Sequence, residues 1–389
     1  MRDDGADETD VLIIGAGLVG CASAHYLAKE RVECLVVDRG EMNREGSGTN
    51  AGSLHLQLRG PERLYSEDVL REFLPMKVEA ARGWAGIEAE LGCDLGLKMH
   101  GGLLIAETDA EFATLREIVE YERGHGFPVE ALSTSELLRI APHLSPLLKG
   151  AAYSSMEGSA NTLLVGPAYA RSAQSAGARF RLHTNVVATE RLDGGGFLVT
   201  TSGGRIRAKR ILNAAGPWAG ALTRMVGVAL PVTGRVIQVN VTERREPLLD
   251  QLVGHLSGGL TMKQTTFGTF MVGGGWPATV DPTTGRSAID HGSVAGNLGV
   301  ALRALPALRD VSLVRSWTGV IAHSLDRNGS RLQIFGELPA VRGYYVLAGG
   351  TLFTMGPLFA RLATELLTTG TTSYSVSAHH PDRFGALAS

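Results

Sequence analysis

A short glycine motif directly after an apolar run constrains the fold of this chain more than any other feature. Residues 11–14, VLII, form a continuous apolar stretch of the kind seen in buried parallel strands. The next residues, GAGLVG, place Gly15, Gly17 and Gly20 in the spacing G-x-G-x-x-G. The first glycine permits a tight turn, the second lets backbone approach a pyrophosphate, and the third lets the following helix pack closely on the sheet. The motif therefore predicts a strand, a phosphate-binding turn and a helix in succession.

The residues after the motif complete a β–α–β unit. LVGCASAHYLAKE has helical apolar spacing, and VECLVVD returns to a β-rich run that ends at Asp38. Asp38 lies 23 residues after Gly15, where a carboxylate can accept hydrogen bonds from ribose hydroxyls. The N-terminus of the helix offers N–H groups and the positive end of a dipole to a phosphate. These features together predict dinucleotide binding, and the alternative is a glycine turn in an ordinary α/β domain.

Composition excludes several classes of protein. The formal net charge of −2 provides no broad basic field for nucleic acid. Three cysteines are too few for a disulfide framework or for an iron–sulfur cluster, which takes four thiolates. The acidic start, MRDDGADETD, lacks the basic and apolar regions of a secretory signal, and no apolar run approaches 18 residues. We therefore expect a cytoplasmic protein without a membrane span.

Three further segments favour FAD over a nicotinamide dinucleotide. Small residues fill GSGTNAGSLHLQ at 46–57 and ILNAAGPWAG at 211–220, where backbone can lie against a flat cofactor. A second strand–glycine–helix element, YYVLAGGTLFTMGP, occupies 344–357. A long FAD molecule can use this second helix N-terminus, whereas a nicotinamide cofactor has no obvious use for it.

These motifs occur together, and in this order, in a known family. Over residues 10–370 the chain resembles the D-amino-acid-oxidase-type flavoproteins, which include glycine and sarcosine oxidases. TMKQTTFGTFMVGGGWPA at 261–278 and the terminal MGP are similar to the β subunits of opine dehydrogenase, hydroxyproline dehydrogenase and hydrogen cyanide synthase, which are heteromeric. The resemblance implies partner subunits for electron transfer that carry FMN and an iron–sulfur cluster.

The resemblance also implies non-covalent FAD and a set of residues that bind it. No cysteine stands in the C-terminal segment, where some sarcosine oxidases attach FAD covalently. The implied cofactor-binding residues are Gly15, Ala16, Gly17, Leu18, Val19, Gly20, Asp38, Arg39, Ser47, Asn50, Ala51, Gly52, Ser53, Val186, Ala215, Gly216, Trp218, Gly349, Gly350, Leu352, Thr354, Met355 and Gly356.

The expected fold is α/β. A Rossmann-like FAD-binding domain would be interleaved with an α+β substrate domain that contains a large antiparallel or mixed sheet. The expected division assigns residues 1–75, 148–225 and 312–389 to the FAD-binding domain. Residues 76–147 and 226–311 are then assigned to the substrate-binding domain.

The chemistry that the resemblance implies is oxidation of a C–N bond. A hydride passes from the carbon bearing the amine to flavin N5, and the resulting imine is hydrolysed by water. Glycine-oxidase-like members hold the substrate carboxylate with an arginine, but this chain has Ile321 at the expected position. We therefore expect another group to anchor the substrate, or a substrate other than a simple small amino acid such as glycine or sarcosine.

Three residues are hypothetical catalytic groups, each with a plainer alternative. His55 follows the segment expected near the flavin, Lys263 precedes a glycine-rich hairpin, and His323 follows Ile321 by two residues. The alternatives are a core or surface histidine, a snorkelling strand lysine and a loop histidine. Asp326 is a further candidate near the flavin, with a turn-forming aspartate as its alternative. No metal-ligand constellation appears.

Four functions remain open from the sequence. The first is a flavin-dependent dehydrogenase for an opine, a hydroxyproline or a D-amino acid, acting as the catalytic β subunit of a complex. The second is a stand-alone oxidase that passes electrons to oxygen and releases hydrogen peroxide. The third is a non-catalytic, FAD-binding structural subunit, and the fourth is an NAD dehydrogenase.

Overall fold

The computed structural model describes residues 5–59, 62, 65–324 and 332–385. The helices in this part of the chain are α1 (Leu18–Lys29), α2 (Gly46–Thr49), α3 (Glu67–Leu91), α4 (Asp109–Gly124), α5 (Thr134–Ile140), α6 (Thr162–Ser175), α7 (Ala219–Arg224), α8 (His291–Ala304) and α9 (Gly356–Thr369). The strands are β1 (Asp7–Ile14), β2 (Cys34–Val37), β3 (Ser53–Leu54), β4 (Gly102–Ala106), β5 (Glu130–Ser133), β6 (Gly150–Ser154), β7 (Gly158–Ser159), β8 (Arg179–Arg181), β9 (Val186–Arg191), β10 (Phe197–Thr201), β11 (Gly204–Asn213), β12 (Val232–Arg244), β13 (Leu252–His255), β14 (Thr261–Gln264), β15 (Thr269–Gly273), β16 (Thr279–Val280), β17 (Ser287–Ala288), β18 (Leu313–Ser324), β19 (Ile334–Leu338) and β20 (Val341–Ala348).

The first sheet is built around the strand that precedes the glycine motif. Its strand order is β19-β20-β11-β1-β2-β8, and β10 and β9 extend from β11. Strands β20, β11, β1, β2 and β8 are parallel, whereas β19, β10 and β9 join as antiparallel strands. Val11, Leu12 and Ile13 are fully buried, because parallel sheets are covered on both faces. The neighbouring parallel strands therefore end at one edge, where the glycine-rich segments follow β1, β11 and β20.

Helices cover the first sheet and connect its strands. Helix α1 links β1 to β2 and packs against α6 and α9. Its face toward these neighbours is made of small and apolar residues, including Cys21, Ala22 and Leu27, which are fully buried. Short side chains let the three helices approach closely. This packing fixes the N-terminus of α1 at the carboxyl edge of the sheet.

The second sheet is large and mostly antiparallel. Its strand order is β18-β12-β15-β14-β13-β4-β6-β5, and β13 is parallel to β4. The long strands β12 and β18 pair over most of their lengths, from Val232 with Ser324 to Thr242 with Leu313. A separate core that includes Phe270, Met262 and Leu305 covers one face of this sheet. The other face is free to border a cavity next to the first sheet.

The expected fold class is confirmed: a parallel α/β unit is interleaved with a mixed sheet. The expected domain boundaries remain a prediction. Strands β6 and β18 fall within the ranges assigned to the FAD-binding domain, yet both hydrogen-bond within the second sheet. In the described part of the chain, none of the helices combines the length and the apolar character that a bilayer crossing requires.

Candidate functional site

A cavity of about 860 Å³ lies where the two sheets meet. On one side it is lined by the carboxyl ends of β1, β2, β11 and β20 and by the segments that follow them. On the other side it is lined by β12, β14, β15 and β18 of the second sheet. Ligands of parallel α/β sheets bind at this carboxyl edge. The cavity is therefore the candidate site of the molecule.

The glycine motif forms the floor of the cavity at the start of α1. Gly15 has φ of +114°, and a Cβ atom there would lie 2.6 Å from the Ala214 carbonyl oxygen, so the turn requires glycine. A Cβ on Gly17 would lie 2.9 Å from Ser47 Oγ. Ser47 Oγ also accepts a 2.9 Å hydrogen bond from the Leu18 N–H in the first turn of α1. Because Gly15, Gly17 and Ser47 have small side chains or none, no large side chain separates the N-terminus of α1 from the cavity.

Asp38 joins the end of β2 to the glycine motif. Its Oδ2 accepts a 2.7 Å hydrogen bond from the Ala16 N–H, and its Oδ1 accepts a 2.8 Å bond from the Gly40 N–H. Beside it, the Arg39 guanidinium lies 4.0 Å from the centre of the Trp218 ring, a cation–π distance. Asp38, Arg39 and Trp218 all line the cavity. The part of the cavity next to β2 is therefore lined by the carboxylate of Asp38 and by the stacked side chains of Arg39 and Trp218.

The C-terminal glycine segment, which follows β20, lines the cavity at the same edge of the first sheet. Gly349, Gly350 and Thr354 are among its lining residues. Thr354 connects this segment to the one that follows α2: its hydroxyl donates to the Ser53 carbonyl and accepts from the His55 N–H, both at 3.3 Å. The Trp84 ring N–H donates to the Thr354 carbonyl at 2.7 Å. Residues about 300 positions apart in sequence are thereby fixed against each other.

These observations test the cavity as a dinucleotide site, and the residues fit. At Gly15 and Gly17 a Cβ atom would collide with the cavity wall, so only glycine leaves room for a pyrophosphate to approach the backbone at the start of α1. Asp38 stands at the ribose position of the motif. The volume also lies within the range of about 300–1,000 Å³ that cofactor and ligand sites occupy. The lining residues and the volume therefore fit a dinucleotide.

The structure brings together the larger part of the predicted cofactor-binding set. Those that line the cavity are Gly15, Gly17, Val19, Asp38, Arg39, Ser47, Asn50, Ala51, Ser53, Val186, Ala215, Gly216, Trp218, Gly349, Gly350, Leu352 and Thr354. The others, which do not line it, are Ala16, Leu18, Gly20, Gly52, Met355 and Gly356. Five of these six lie directly beside a lining residue in sequence, and Gly356 lies two residues after Thr354. Their direct contact with a cofactor remains a prediction.

His55 lines the same cavity as a buried imidazole. Burial lowers the pKa of His55 well below its ordinary value, and the positive charges of Arg59, Lys263 and Lys77 lower it further. The ring is therefore neutral at physiological pH. Its Nε2 is 3.3 Å from the Thr261 hydroxyl oxygen, and its buried Nδ1 has no hydrogen-bond partner among the described residues. The ring that borders the cavity is therefore uncharged.

A buried polar network lies behind His55 and holds the segment that carries it. Glu157, which is fully buried, accepts hydrogen bonds from the Leu56 and Gln57 N–H groups at 2.6 and 2.9 Å. It also accepts from the Gln57 amide at 2.9 Å and pairs with Arg59 Nη2 at 2.8 Å. Glu122 accepts a 2.5 Å bond from the Leu58 N–H. Burial raises the pKa of Glu122 to about 8, although that N–H and Lys77 oppose the shift.

Lys263 lies at a second cavity of about 570 Å³ and does not line the first. Its side chain is buried, and this burial lowers the pKa of Lys263 to about 7, with a smaller contribution from the charge of Lys98. A Cβ on Gly52 would lie 3.1 Å from Lys263 Nζ, so the lysine touches the backbone that separates the two cavities. Its predicted position over the flavin remains a prediction.

The strand β18 contributes Ile321 to the cavity wall. His323, two residues further along β18, pairs in register with Thr233 and is not among the lining residues. Its catalytic role therefore remains a prediction that the geometry does not favour. Asp326 lies outside the described residues.

Sequence reasoning missed several residues of the site. Arg59 lines the cavity, and His55, Gln57 and Arg59 alternate with buried Leu54, Leu56 and Leu58. This period of two was visible in the sequence and predicts that the three polar residues share one face.

The glycines of 273–275 also line the cavity. A Cβ on Gly274 would lie 1.9 Å from the Gly259 carbonyl oxygen.

Comparison with known proteins gives consistent matches along the whole chain. Residues 10–366 match the family model described as DAO, FAD dependent oxidoreductase. The chain is 29% identical over 380 residues to the glycine oxidase of Geobacillus kaustophilus (strain HTA426), covering 95% of each sequence. It is 27% identical over 386 residues to an opine oxidase subunit of Rhizobium meliloti, covering 97% of this chain and 98% of the relative. The crystal structure of glycine oxidase from Geobacillus kaustophilus superimposes with a TM-score of 0.86 at 27% identity, over 96% of this chain and 98% of that one.

Proposed function

The chain belongs to the DAO family of FAD-dependent oxidoreductases, and from this membership we propose that it oxidises the C–N bond of a secondary amine or an N-substituted or D-configured amino acid. Membership of this family confirms the resemblance that the motifs indicated and the expected cofactor, FAD. The chain is an amine or amino acid oxidoreductase of the glycine, sarcosine and opine oxidase type. The observation that supports the proposal most directly is one cavity with the glycine motif at one end and His55 at the other.

The first cavity would hold FAD along the carboxyl edge of the first sheet. We propose that the Gly17 N–H and the first turn of α1 bind the phosphates and that Asp38 binds a ribose. Val186 would lie near the adenine, and Gly349 and Gly350 would lie along the far part of the cofactor. When bound, FAD supplies the acceptor for the two electrons that leave the C–N bond.

At the other end of the cavity, the chain's own residues would bind and orient the amine. The neutral His55 ring borders the cavity and can lie beside the substrate nitrogen, while its Nδ1 is buried away from the cavity. Thr261, at 3.3 Å from the other ring nitrogen, restricts the orientation of the imidazole. An uncharged neighbour in a buried site also favours the neutral form of the amine, which is the form that is oxidised.

The substrate class rests on two observations. A relative over nearly the whole chain is named as a subunit of opine oxidase, and opines are secondary amines with two carboxylates. Ile321 lines the cavity where an arginine would serve a small amino acid. We therefore propose an opine, a hydroxyproline or a D-amino acid rather than glycine or sarcosine.

We propose that the chain acts as the catalytic β subunit of a heteromeric dehydrogenase. The word subunit in the name of the opine oxidase relative supports this. Partner subunits carrying FMN and an iron–sulfur cluster would then pass electrons onward. The second candidate is a stand-alone oxidase that uses oxygen, which the similarity to a glycine oxidase favours.

We place the protein in the cytoplasm, because its three cysteines are thiols.

An anaerobic screen of the purified, FAD-loaded chain tests the proposal. Opines, hydroxyprolines and D-amino acids are added singly, with glycine and sarcosine as comparisons, and the loss of flavin absorbance is recorded. We expect bleaching by at least one member of the first group and slower or no bleaching by glycine. A flavoprotein that no amine bleaches would instead be a non-catalytic FAD-binding subunit.

Air distinguishes the two remaining candidates. The bleached protein is mixed with oxygen, and hydrogen peroxide is measured. Slow reoxidation without an added acceptor supports the heteromeric dehydrogenase, whereas rapid peroxide production supports the oxidase.

A further inference from the structure

Arg59 differs from every other charged residue that lines the first cavity. In the described part of the chain, the other permanently charged lining residues are Asp38, Arg39, Glu41, Arg44 and Glu45, which all belong to the segment after β2. Arg59 lies instead on the segment that carries His55, beside the second sheet. A guanidinium keeps its positive charge at every physiological pH. The His55 end of the cavity therefore has one permanently charged group, and its charge is paired with the buried Glu157.

The guanidinium of Arg59 is held in place by two neighbours. Its Nη2 pairs with Glu157 at 2.8 Å, and Glu157 is fully buried. On the other side, a Cβ on Gly254 would lie 1.8 Å from Arg59 Nη1, so the guanidinium lies directly against the backbone of β13. Any side chain at position 254 would displace it. The packing orients the group before a ligand arrives, and this reduces the entropy that binding costs.

Arg59 also retains hydrogen-bonding capacity that the protein does not use. Its Nε is buried without a partner among the described residues, whereas the side chain as a whole is 19% exposed and lines the cavity. Glu157 already accepts from three neutral N–H groups besides Arg59, so its oxygens are shared among four donors. A ligand in the cavity can therefore reach only the exposed part of the guanidinium. A carboxylate is the planar anion that the guanidinium fork matches best.

We infer that Arg59 binds the carboxylate of the substrate, next to the amine group that the His55 end of the cavity receives. This inference rests on the proposed function for the class of substrate. It answers the question raised by Ile321: the anchoring cation comes from the segment after β3 and not from β18. Glu157 and Gly254 then act as positioning residues, because they fix the guanidinium and do not touch the substrate.

A binding experiment with an inert pair of probes tests the inference. Anthranilate carries an amine and a carboxylate but has no hydrogen on the carbon that bears nitrogen, so it cannot be oxidised at that carbon. Anthranilamide has the same shape without the negative charge. Each probe is titrated into the FAD-loaded chain, and the change in the visible flavin spectrum gives its dissociation constant.

Two variants change the guanidinium in different ways. We expect Arg59→Met to weaken anthranilate binding about 10- to 100-fold, the range for loss of a charge-assisted hydrogen bond, and to change anthranilamide binding less than about twofold. Gly254→Ala keeps the arginine but displaces it, and it should cause the same selective loss. Arg71→Met, an exposed arginine of α3, is the matched control and should bind both probes as the parent does.

The possible results separate the inference from the proposed function. Unchanged anthranilate affinity in both Arg59→Met and Gly254→Ala, or equal losses for the two probes, would overturn the inference. Failure of the parent chain to bind anthranilate would overturn it as well. Selective loss in a chain that no amine bleaches would refute the proposed function and leave the inference standing. Flavin content measured on each variant shows that the cofactor remains bound.

Discussion

The carboxylate of Asp38 accepts a 2.7 Å hydrogen bond from the main-chain N–H of Ala16. This bond links the end of β2 to the glycine motif after β1, so the two halves of the predicted dinucleotide site form one unit. The second oxygen of Asp38 accepts from Gly40 and holds the following turn. The acid thus shapes the loop and also remains on the cavity wall.

We expect Asp38→Asn to weaken FAD binding about 10- to 100-fold, because a ribose hydroxyl then loses a charged acceptor. One amide oxygen can still accept from a neighbouring N–H, so the loop is largely retained. Titration of FAD into the apoprotein, followed by flavin fluorescence, measures the effect. Asp10→Asn is the control: Asp10 lies on the same β1–β2 unit, pairs with Lys209 and does not line the cavity. Equal affinities for Asp38→Asn and the parent would contradict the assigned role.

Two glycines should respond in opposite directions to the same substitution. Gly274 has φ of +128°, and its Cβ would lie 1.9 Å from the Gly259 carbonyl oxygen, so Gly274→Ala should destabilise the fold by at least about 2 kcal/mol. Gly83 lies within α3 with no atom near its Cβ position. Gly83→Ala should therefore stabilise the helix by roughly 0.5–1 kcal/mol. Thermal unfolding of both variants, compared with the parent, measures the difference.

The cofactor half of the site could be predicted from sequence because local rules determine it. The strand at residues 11–14, the turn at Gly15 and the helix after it follow from apolar runs and glycine spacing within one β–α–β unit. In each case neighbours in sequence are neighbours in space.

The substrate half could not be predicted in the same way, because long-range packing determines it. Lys263 and His323 carry the right chemistry, but strand register decides which cavity each side chain borders. Arg59 became recognisable only through Glu157 and Gly254, which lie about 100 and 195 positions away in the chain. The alternation from His55 to Arg59 indicates a shared face but does not indicate what that face borders.

Glu122 should make stability depend on pH in a defined window. Burial raises the pKa of Glu122 to about 8 from an ordinary value of 4.5. Between those pH values the folded chain therefore binds more protons than the unfolded chain. The stabilisation that protonated Glu122 contributes to the fold is complete below pH 4.5 and is lost as the pH rises through 8. The free energy of unfolding should therefore decline as the pH rises, and we expect Glu122→Gln to remove up to roughly 4 kcal/mol of this decline.

Urea unfolding of the apoprotein at about pH 5 and about pH 8 measures the decline for parent and variant. The glutamine leaves its amide without a partner, which lowers stability about equally at both pH values, so the slopes are compared and not the absolute values. Glu120→Gln, exposed on the same helix, should keep the slope of the parent. A Glu122→Gln chain with the slope of the parent would show that the buried carboxyl does not titrate in this window.

Lys263 should have the opposite dependence at higher pH. Burial lowers the pKa of Lys263 to about 7 from an ordinary 10.5, so the unfolded chain binds more protons between those values and stability rises with pH there. Lys263→Met keeps the length of the side chain without its charge. The variant should be more stable than the parent by up to roughly 4 kcal/mol below about pH 7, and this difference in stability should disappear toward about pH 10.

Urea unfolding of the apoproteins at pH values of about 6, 8 and 10 measures this gap, with the exposed Lys149→Met as the control. A gap that stays constant with pH would mean that the lysine remains charged throughout, and it would then be a fixed cation in the wall between the two cavities.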